Sequence, residues 1–366
     1  MQNVLIIGGN SYIGTELSKY LSKFKAYKLY SIDIGFNDDC VINHKSPLFL
    51  SKKIDVRDIN EEFLDNFNTV IFLAGLSLFL INPIKSISEY DAYKITEEYT
   101  KKIIIMCKKK GIKFLFPSSC SVYGISDTNN FVNEVSNLNP ITLYSKNKII
   151  LENFIKEEAN SKFNPVILRL ATVFGYSERM RFDIVVNMLV GMAISTNEII
   201  LNSDGQVYRP FVDIRDVCKA FEYFIRSDYS NYDVEIFNVG SNENNYKIIE
   251  IAKLIQKIIP YTNIKFLNDN HKINKNLIQD NHLVKNQKDE RNYKVNFDKI
   301  SSIFKDFKNS ISLKEGIINM AEKLKKINLD IDDFNNIKFH RLQNLNHLIE
   351  TGKVNSKLEY INNLQN

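Results

Sequence analysis

The stretch LYSKNK holds Tyr144 and Lys148 four residues apart, which on a helix sets a phenol and an ammonium on one face. A free tyrosine titrates near about 10. An adjacent lysine cation favours the phenolate and draws that value toward working pH. A phenolate so placed can take the proton of an alcohol while the alcohol carbon gives up a hydride. Upstream, KFLFPSS (113–119) reads as a strand ending on Ser118 and Ser119, whose hydroxyls can reach the same oxygen. Strand-end turn chemistry is the other use of such serines.

A hydride needs an acceptor, and the N-terminus offers a place for one. GGNSYIG (8–14) follows the apolar run Val4–Ile7 and opens a helix-like segment. Strand, glycine turn and helix N-terminus in that order make a pyrophosphate site, because free N–H groups and the helix dipole point at the anion. Gly8 makes the turn and Gly14 lets the helix pack close. Ser11 stands where a third glycine is usual, and its amide, with its hydroxyl, is expected to face the phosphates beside Tyr12 and Ile13. Asp33 ends the next strand, where a carboxylate can bind both ribose hydroxyls and repel a 2′-phosphate. No arginine is near it in sequence, so NAD is expected over NADP. Asp55 and Val56 are candidates to bracket an adenine. Leu73, Ala74 and Gly75 in LAGL (73–76) end a further strand at the sheet's switch point, where cofactor backbones lie.

These residues need a scaffold. The first 175 residues alternate apolar strands with helical stretches: 4–9, 28–33, 54–56, 69–75, 113–119 and 165–171 as strands, with a short helix at EEFLDNF and longer ones over about 86–110 and 144–159. Unbroken apolar strands expect helices on both faces, and strand–helix alternation expects a parallel doubly wound sheet. Beyond Gly175 helices are expected near 182–193, 213–225 and 247–258, with strands at 199–201, 209–212 and 235–240. Residues 261–292 read as irregular. From about Ile331 the tail reads as an amphipathic surface or interface helix.

Composition narrows the class. The 366 residues are 44% hydrophobic and carry a net charge of +5, enough for one large or two modest cores. The first apolar run starts at Val4, leaving no room ahead of it for a signal peptide, and no run reaches the ~18 apolar residues of a membrane span. A cytoplasmic location without membrane partner is expected. Cys40, Cys107, Cys120 and Cys218 form no C-x-x-C pair, and the five histidines show no ligand spacing, so no metal is expected. The cluster Lys108–Lys110 precedes Gly111 and reads as a helix C-terminus favoured by the macrodipole rather than a nucleic-acid patch.

The strings GGNSYIG, DVRD (55–58), FLAGLS, FPSSCSVYG, NPITLYSKNK, ILRLATVFG, DGQVYRPFVDIRDV, FNVGS and RNYKVNFDKI, with Asp33, resemble the extended short-chain dehydrogenase/reductases. The branch they resemble is the NAD-dependent epimerase/dehydratase family acting on nucleotide sugars. The resemblance runs to about residue 320. It implies an α/β fold: a Rossmann-type doubly wound parallel sheet with a smaller C-terminal α/β substrate domain. The expected division is 1–175 with returning segments about 207–242 for NAD, 176–206 and 243–325 for the nucleotide sugar, and 326–366 as a helical tail. It also implies Ser119, Tyr144 and Lys148 as the catalytic trio and a homodimer formed through two long helices. Arg209 in YRPFV matches the family's diphosphate-gripping arginine. Arg291, Arg179 and Arg181 are further candidates for the substrate, and Tyr293 for stacking on its base.

Departures from the pattern carry information too. Family dehydratases usually place Asp-Glu after the catalytic hydroxyl residue; here the pair is Cys120-Ser121, which lacks an acid for a leaving hydroxide. Thr96 and Thr172 stand where the family usually has asparagines, so contacts to the substrate there lose an amide. The expected activity is a nucleotide-sugar C4-epimerase passing through a 4-keto sugar. A 4-dehydrogenase or 4-ketoreductase with net redox is the nearest rival, and a non-catalytic nucleotide-binding regulator the third reading.

Overall fold

In the computed structural model, which describes residues 1–45, 49–75, 87–227, 235–267, 290–303 and 311–361, the unbroken apolar runs become the centre of a parallel sheet. The N-terminal half runs β1 (Gln2–Ile7), α1 (Tyr12–Leu21), β2 (Tyr27–Asp33), β3 (Lys52–Lys53), β4 (Thr69–Phe72), α2 (Glu89–Lys110), β5 (Lys113–Ser119), β6 (Phe131–Val132), α3 (Leu143–Glu158) and β7 (Val166–Leu170). After β8 (Thr172–Phe174) come α4 (Val185–Thr196), β9 (Glu198–Leu201), β10 (Tyr208–Asp213), α5 (Ile214–Arg226) and β11 (Glu235–Val239). The remainder is β12 (Asn245–Lys247), α6 (Ile248–Ile258), β13 (Asn263–Phe266), β14 (Lys294–Val295), α7 (Asp298–Ile303), α8 (Leu313–Lys326), α9 (Ile331–Asn335) and α10 (Arg341–Glu350). Leu76, Ser77, Ser86, residues 268–289 and 362–366 lie outside the described residues, and so do those parts of the motifs and elements expected there.

Seven strands make the main sheet in the order β11-β7-β5-β4-β1-β2-β3, every pairing parallel. Strand side chains alternate between two apolar layers. Val4, Ile6, Ile71, Leu115 and Leu168 face α1 and α5; Leu5, Ile7, Val70, Phe114 and Ile167 face α2 and α3. Each such side chain contributes about 1.5–3 kcal/mol when fully buried. A third cluster centred on α4, α6 and α8 forms the smaller C-terminal layer. Sheet order reverses at β1, so the crevice between the carboxyl ends of β1 and β4 is the topological switch point.

Four local expectations are corrected. Within 261–292, read as irregular, Asn263–Phe266 forms β13 and pairs in parallel with β9. The strand expected at 54–56 is Lys52–Lys53; the chain then turns into a 3-10 turn at Val56–Asp58, because the Asp55 carboxylate accepts from Arg57 N at 2.9 Å. EEFLDNF forms one 3-10 turn, Glu62–Leu64, rather than a helix. The helix expected from Phe182 begins at Val185, since Arg181 pairs with Asp183 and Phe182 N donates to Phe339 O at 2.9 Å.

The tail does not stand off as a lone surface helix. Phe334 and Phe339 are buried in the C-terminal layer, their rings 5.0 and 5.8 Å from that of Phe182. Lys108, Lys109 and Lys110 pair with Glu158, Glu61 and Asp65, so this basic cluster is neutralised by carboxylates. Among the described residues no helix is long and apolar enough to cross a membrane, and no group of three His, Cys, Asp or Glu side chains could hold a metal. All four cysteines are buried and free.

Candidate active site

At the carboxyl ends of β1, β2 and β4 a cleft of about 930 Å³, partly open to solvent, gathers Gly8, Ser11, Asp33, Asp55, Val56, Leu73, Ala74 and Gly75. Gly8 adopts φ +93°, and a Cβ there would sit 2.6 Å from Ala74 N, so only glycine lets the loop and the end of β4 come this close. Gly14 meets Gly8 O and the Gly9 backbone in the same way, which packs α1 against the turn.

Ser11 caps α1, accepting from Gly14 N at 3.0 Å through its hydroxyl. Its own N–H donates to Gly8 O at 3.2 Å, so the amide expected to face phosphate is spent within the turn. Tyr12, Ile13 and Gly14 do not line the cleft. The Tyr12 ring is buried with its hydroxyl donating to Gly175 O at 2.6 Å, and Ile13 packs between two apolar clusters. What this turn contributes is the N-terminus of α1.

Asp33 is buried; one carboxylate oxygen accepts from Gly35 N at 2.8 Å and the other from Asn10 N at 3.0 Å. Burial raises its pKa, and those two donors pull it back. The absence of a nearby arginine holds in sequence only, for the fold brings Arg179 and Arg341 into electrostatic range of Asp33. Arg179, expected over the substrate, is buried and donates to the carbonyls of Asn37 and Asp38 on the nucleotide side. Asp55 lines the cleft but is bound by Arg57, whose Nε lies 3.0 Å from both carboxylate oxygens.

Ser119 ends β5 and Tyr144 stands in the first turn of α3, capped by the Thr142 hydroxyl. The fold brings Ser119, Tyr144 and Lys148 together. Ser119 is a hydrogen-bond partner of the Tyr144 phenol and favours its ionised form. The Lys148 ammonium lies 5.7 Å from the centre of the Tyr144 ring and donates to Pro117 O at 2.8 Å. Desolvation lowers Lys148 to about 8, against the opposing charge of Glu152. For Tyr144 burial wins and raises the pKa, while Ser119, Arg181, Arg341 and Arg291 lower it. The cations that act most on the phenol are thus Arg181, Arg341 and Arg291, ahead of the lysine one turn away.

Behind the trio, Arg169 and Glu152 form a buried bidentate pair, at 3.0 Å through Nε and 2.7 Å through Nη2. Ser118 donates to the same Glu152, so it braces this pair and leaves Ser119 as the serine at the phenol. The Cys120 thiol is buried, donates to Arg169 O at 3.2 Å, and is raised well above its ordinary pKa by desolvation. It cannot serve as an acid in the cleft. Thr96 spends its hydroxyl on Ala92 O of its own helix, at 3.0 Å. Thr172 lies on β8, paired with Phe211 of β10.

The remaining expected substrate residues divide. Arg181 lies beside Tyr144 and pairs with Asp183 at 2.8 Å. Arg209 is buried and donates to Tyr208 O at 2.7 Å and to Arg291 O, which braces the segment ahead of β14 that bears Arg291. Tyr293 is 2% exposed, between Tyr123 and the Arg209 guanidinium, so its ring is a core element rather than an open platform for a base. Residues missed from sequence include Arg57, Tyr99, Arg341, Asn344, Leu345 and Leu358, all lining the cleft. Only the DVRD string pointed at the first; the others come from helix α2 and the tail.

The sequence model of the NAD dependent epimerase/dehydratase family matches residues 4–240, well over half of the chain. The chain belongs to this family. It is therefore an NAD-dependent enzyme, and the narrow Gly8 turn, the N-terminus of α1 and the Asp33 carboxylate fit that dinucleotide. A curated relative of this epimerase/dehydratase protein is the bifunctional polymyxin resistance protein ArnA of Wigglesworthia glossinidia brevipalpis. The two are 27% identical over 293 residues, 72% of this chain but 42% of the relative, so the chain spans under half of that protein's length. UDP-glucuronic acid 4-epimerase from Bacillus cereus, solved with UDP-glucuronic acid and NAD, superposes with a TM-score of 0.69 at 21% identity, covering 88% of this chain and 99% of its own. MoeE5 in complex with UDP-glucuronic acid and NAD gives 0.69 at 18% identity, with the same coverage. Identities this low speak for the fold, a Rossmann-type α/β architecture.

Proposed function

We propose that the protein is an NAD-dependent nucleotide-sugar 4-epimerase that works through a transient 4-keto sugar. The observation that carries this reading is the Ser119–Tyr144–Lys148 group, set beside the dinucleotide cleft, with the neighbouring Cys120 buried and turned away. The Tyr144 phenolate takes the proton of the sugar 4-hydroxyl, and the phenol so formed gives it back to the 4-oxygen when the hydride returns. Ser119 hydrogen-bonds the phenol and is placed to hold the same sugar oxygen. Lys148 and the arginines beside the phenol stabilise the phenolate as it forms. NAD supplies hydride acceptance and return, so the cofactor is regenerated each cycle. Arg181 and Arg291 are the cations this reading assigns to the diphosphate of the substrate, with Arg209 positioning the segment that bears Arg291. Without an acid at Cys120, the site has no donor there for a leaving hydroxide, which favours epimerisation over dehydration.

The test is a panel of UDP-, GDP-, CDP- and dTDP-sugars followed by product stereochemistry and NADH absorbance. One sugar should give a C4-inverted product with no NADH build-up. Net oxidation or reduction would replace this reading with a 4-dehydrogenase or 4-ketoreductase. Tyr144→Phe should lower kcat by ~10²–10⁴-fold while NAD binding is kept.

A further inference from the structure

The C-terminal tail lines the cleft and is anchored on both sides of it. On the substrate side, Phe334 and Phe339 are buried around Phe182, whose N–H donates to Phe339 O. On the nucleotide side, Asn344 Nδ2 donates to Phe36 O at 2.8 Å and Tyr360 Oη donates to Gly35 O at 3.0 Å. Arg57 donates to the carbonyls of Lys357 and Leu358, both at 2.7 Å, and the Lys53 ammonium lies 4.0 Å from the Tyr360 ring centre. Between these anchors Arg341, Asn344, Leu345 and Leu358 form the outer wall of the cleft, facing Gly8, Ser11 and Asp33.

Arg341 is the one cation that this wall adds. It acts electrostatically on Asp33 at the ribose end and on Tyr144 at the catalytic end, so it lies between the two halves of the cleft. The charged groups facing it are Arg181, Asp183 and Asp33. Asp183 is taken by Arg181, and Asp33 by two backbone amides. Among the described residues none pairs with the Arg341 guanidinium. Desolvation pushes it down to about 10, the mark of a cation short of an anion. The group that joins the two halves of a dinucleotide is its pyrophosphate.

We propose that residues 327–361 form a strap that locks the cofactor into its cleft, and that Arg341 is the strap's cation for the cofactor pyrophosphate. The proposal rests on the cleft being the NAD site. Its partner on the opposite wall is the α1 N-terminus, so the anion is held from both sides. A strap of this kind keeps NAD bound from one turnover to the next, which suits a reaction with no net redox.

The experiment compares full-length wild type, Arg341→Ala and Arg341→Lys, measuring binding of NAD⁺, ADP, adenosine and UDP by calorimetry, with melting of the cofactor-free proteins as control. Wild type must bind NAD⁺; if it does not, the reading of the cleft itself fails. Given that binding, Arg341→Ala should weaken NAD⁺ and ADP by ~10-fold or more, with adenosine unchanged, and Arg341→Lys should recover part of the loss. Cofactor-free Arg341→Ala should melt no lower than wild type, because it removes a desolvated charge. Unchanged NAD⁺ and ADP binding, a loss confined to UDP, or an equal loss for adenosine would each overturn the proposal.

Discussion

At the residue scale the chemistry depends on how burial and hydrogen bonds trade against each other at two side chains. Burial holds Tyr144 protonated, and the Ser119 hydroxyl is the leading opposing influence. Ser119→Ala should therefore move the rising limb of kcat to higher pH and lower kcat at neutrality by ~10-fold or more; a pH–rate profile checks both. Lys148 behaves oppositely, since its folded value of about 8 lies below its ordinary 10.5. Below the folded value both folded and unfolded chains are protonated, and the full cost of burying the cation is felt. As pH rises from about 8 to 10.5 the folded protein sheds the proton first, and that cost fades. Lys148→Met should thus raise stability at neutral pH by on the order of 1 kcal/mol, allowing for the solvent that reaches this half-buried group. Denaturant midpoints at neutral and alkaline pH should show the gain shrinking as the medium becomes basic.

At the scale of elements, the site is made where strands end and helices begin. Gly8 is the tightest such junction, and Gly8→Ala drives a Cβ toward Ala74 N at a positive φ. Strain of about 1–3 kcal/mol is expected, together with a ~10-fold or larger loss of NAD⁺ affinity, measurable by calorimetry on folded protein. The elements themselves were largely legible in sequence. Continuous apolar runs gave β1, β4, β5 and β7, and the Y-x-x-x-K spacing put Tyr144 and Lys148 on α3. Where the reading failed, a short-range polar contact outweighed the apolar pattern. Asp55 turned the chain at Val56, and the Arg181–Asp183 pair delayed α4. Arginine roles were the least legible, because long side chains reach targets set by the fold. Arg179 returned to the β2 loop, Arg209 to backbone carbonyls, and Arg341 came from a tail that no motif marked.

At the scale of the whole molecule, the carboxyl end of the sheet collects the cleft of Gly8 and Asp33, the Ser119–Tyr144–Lys148 group and several arginines, and the tail lines the first of them. This arrangement suits a cycle in which a hydride leaves the sugar and returns to it without exchange. The most direct test follows the purified enzyme converting its nucleotide sugar in D₂O by proton NMR. The account predicts inversion at C4 with the C4 hydrogen retained, no solvent deuterium on any ring carbon, and no lasting NADH. Deuterium entering the ring, or NADH accumulating in step with product, would contradict it.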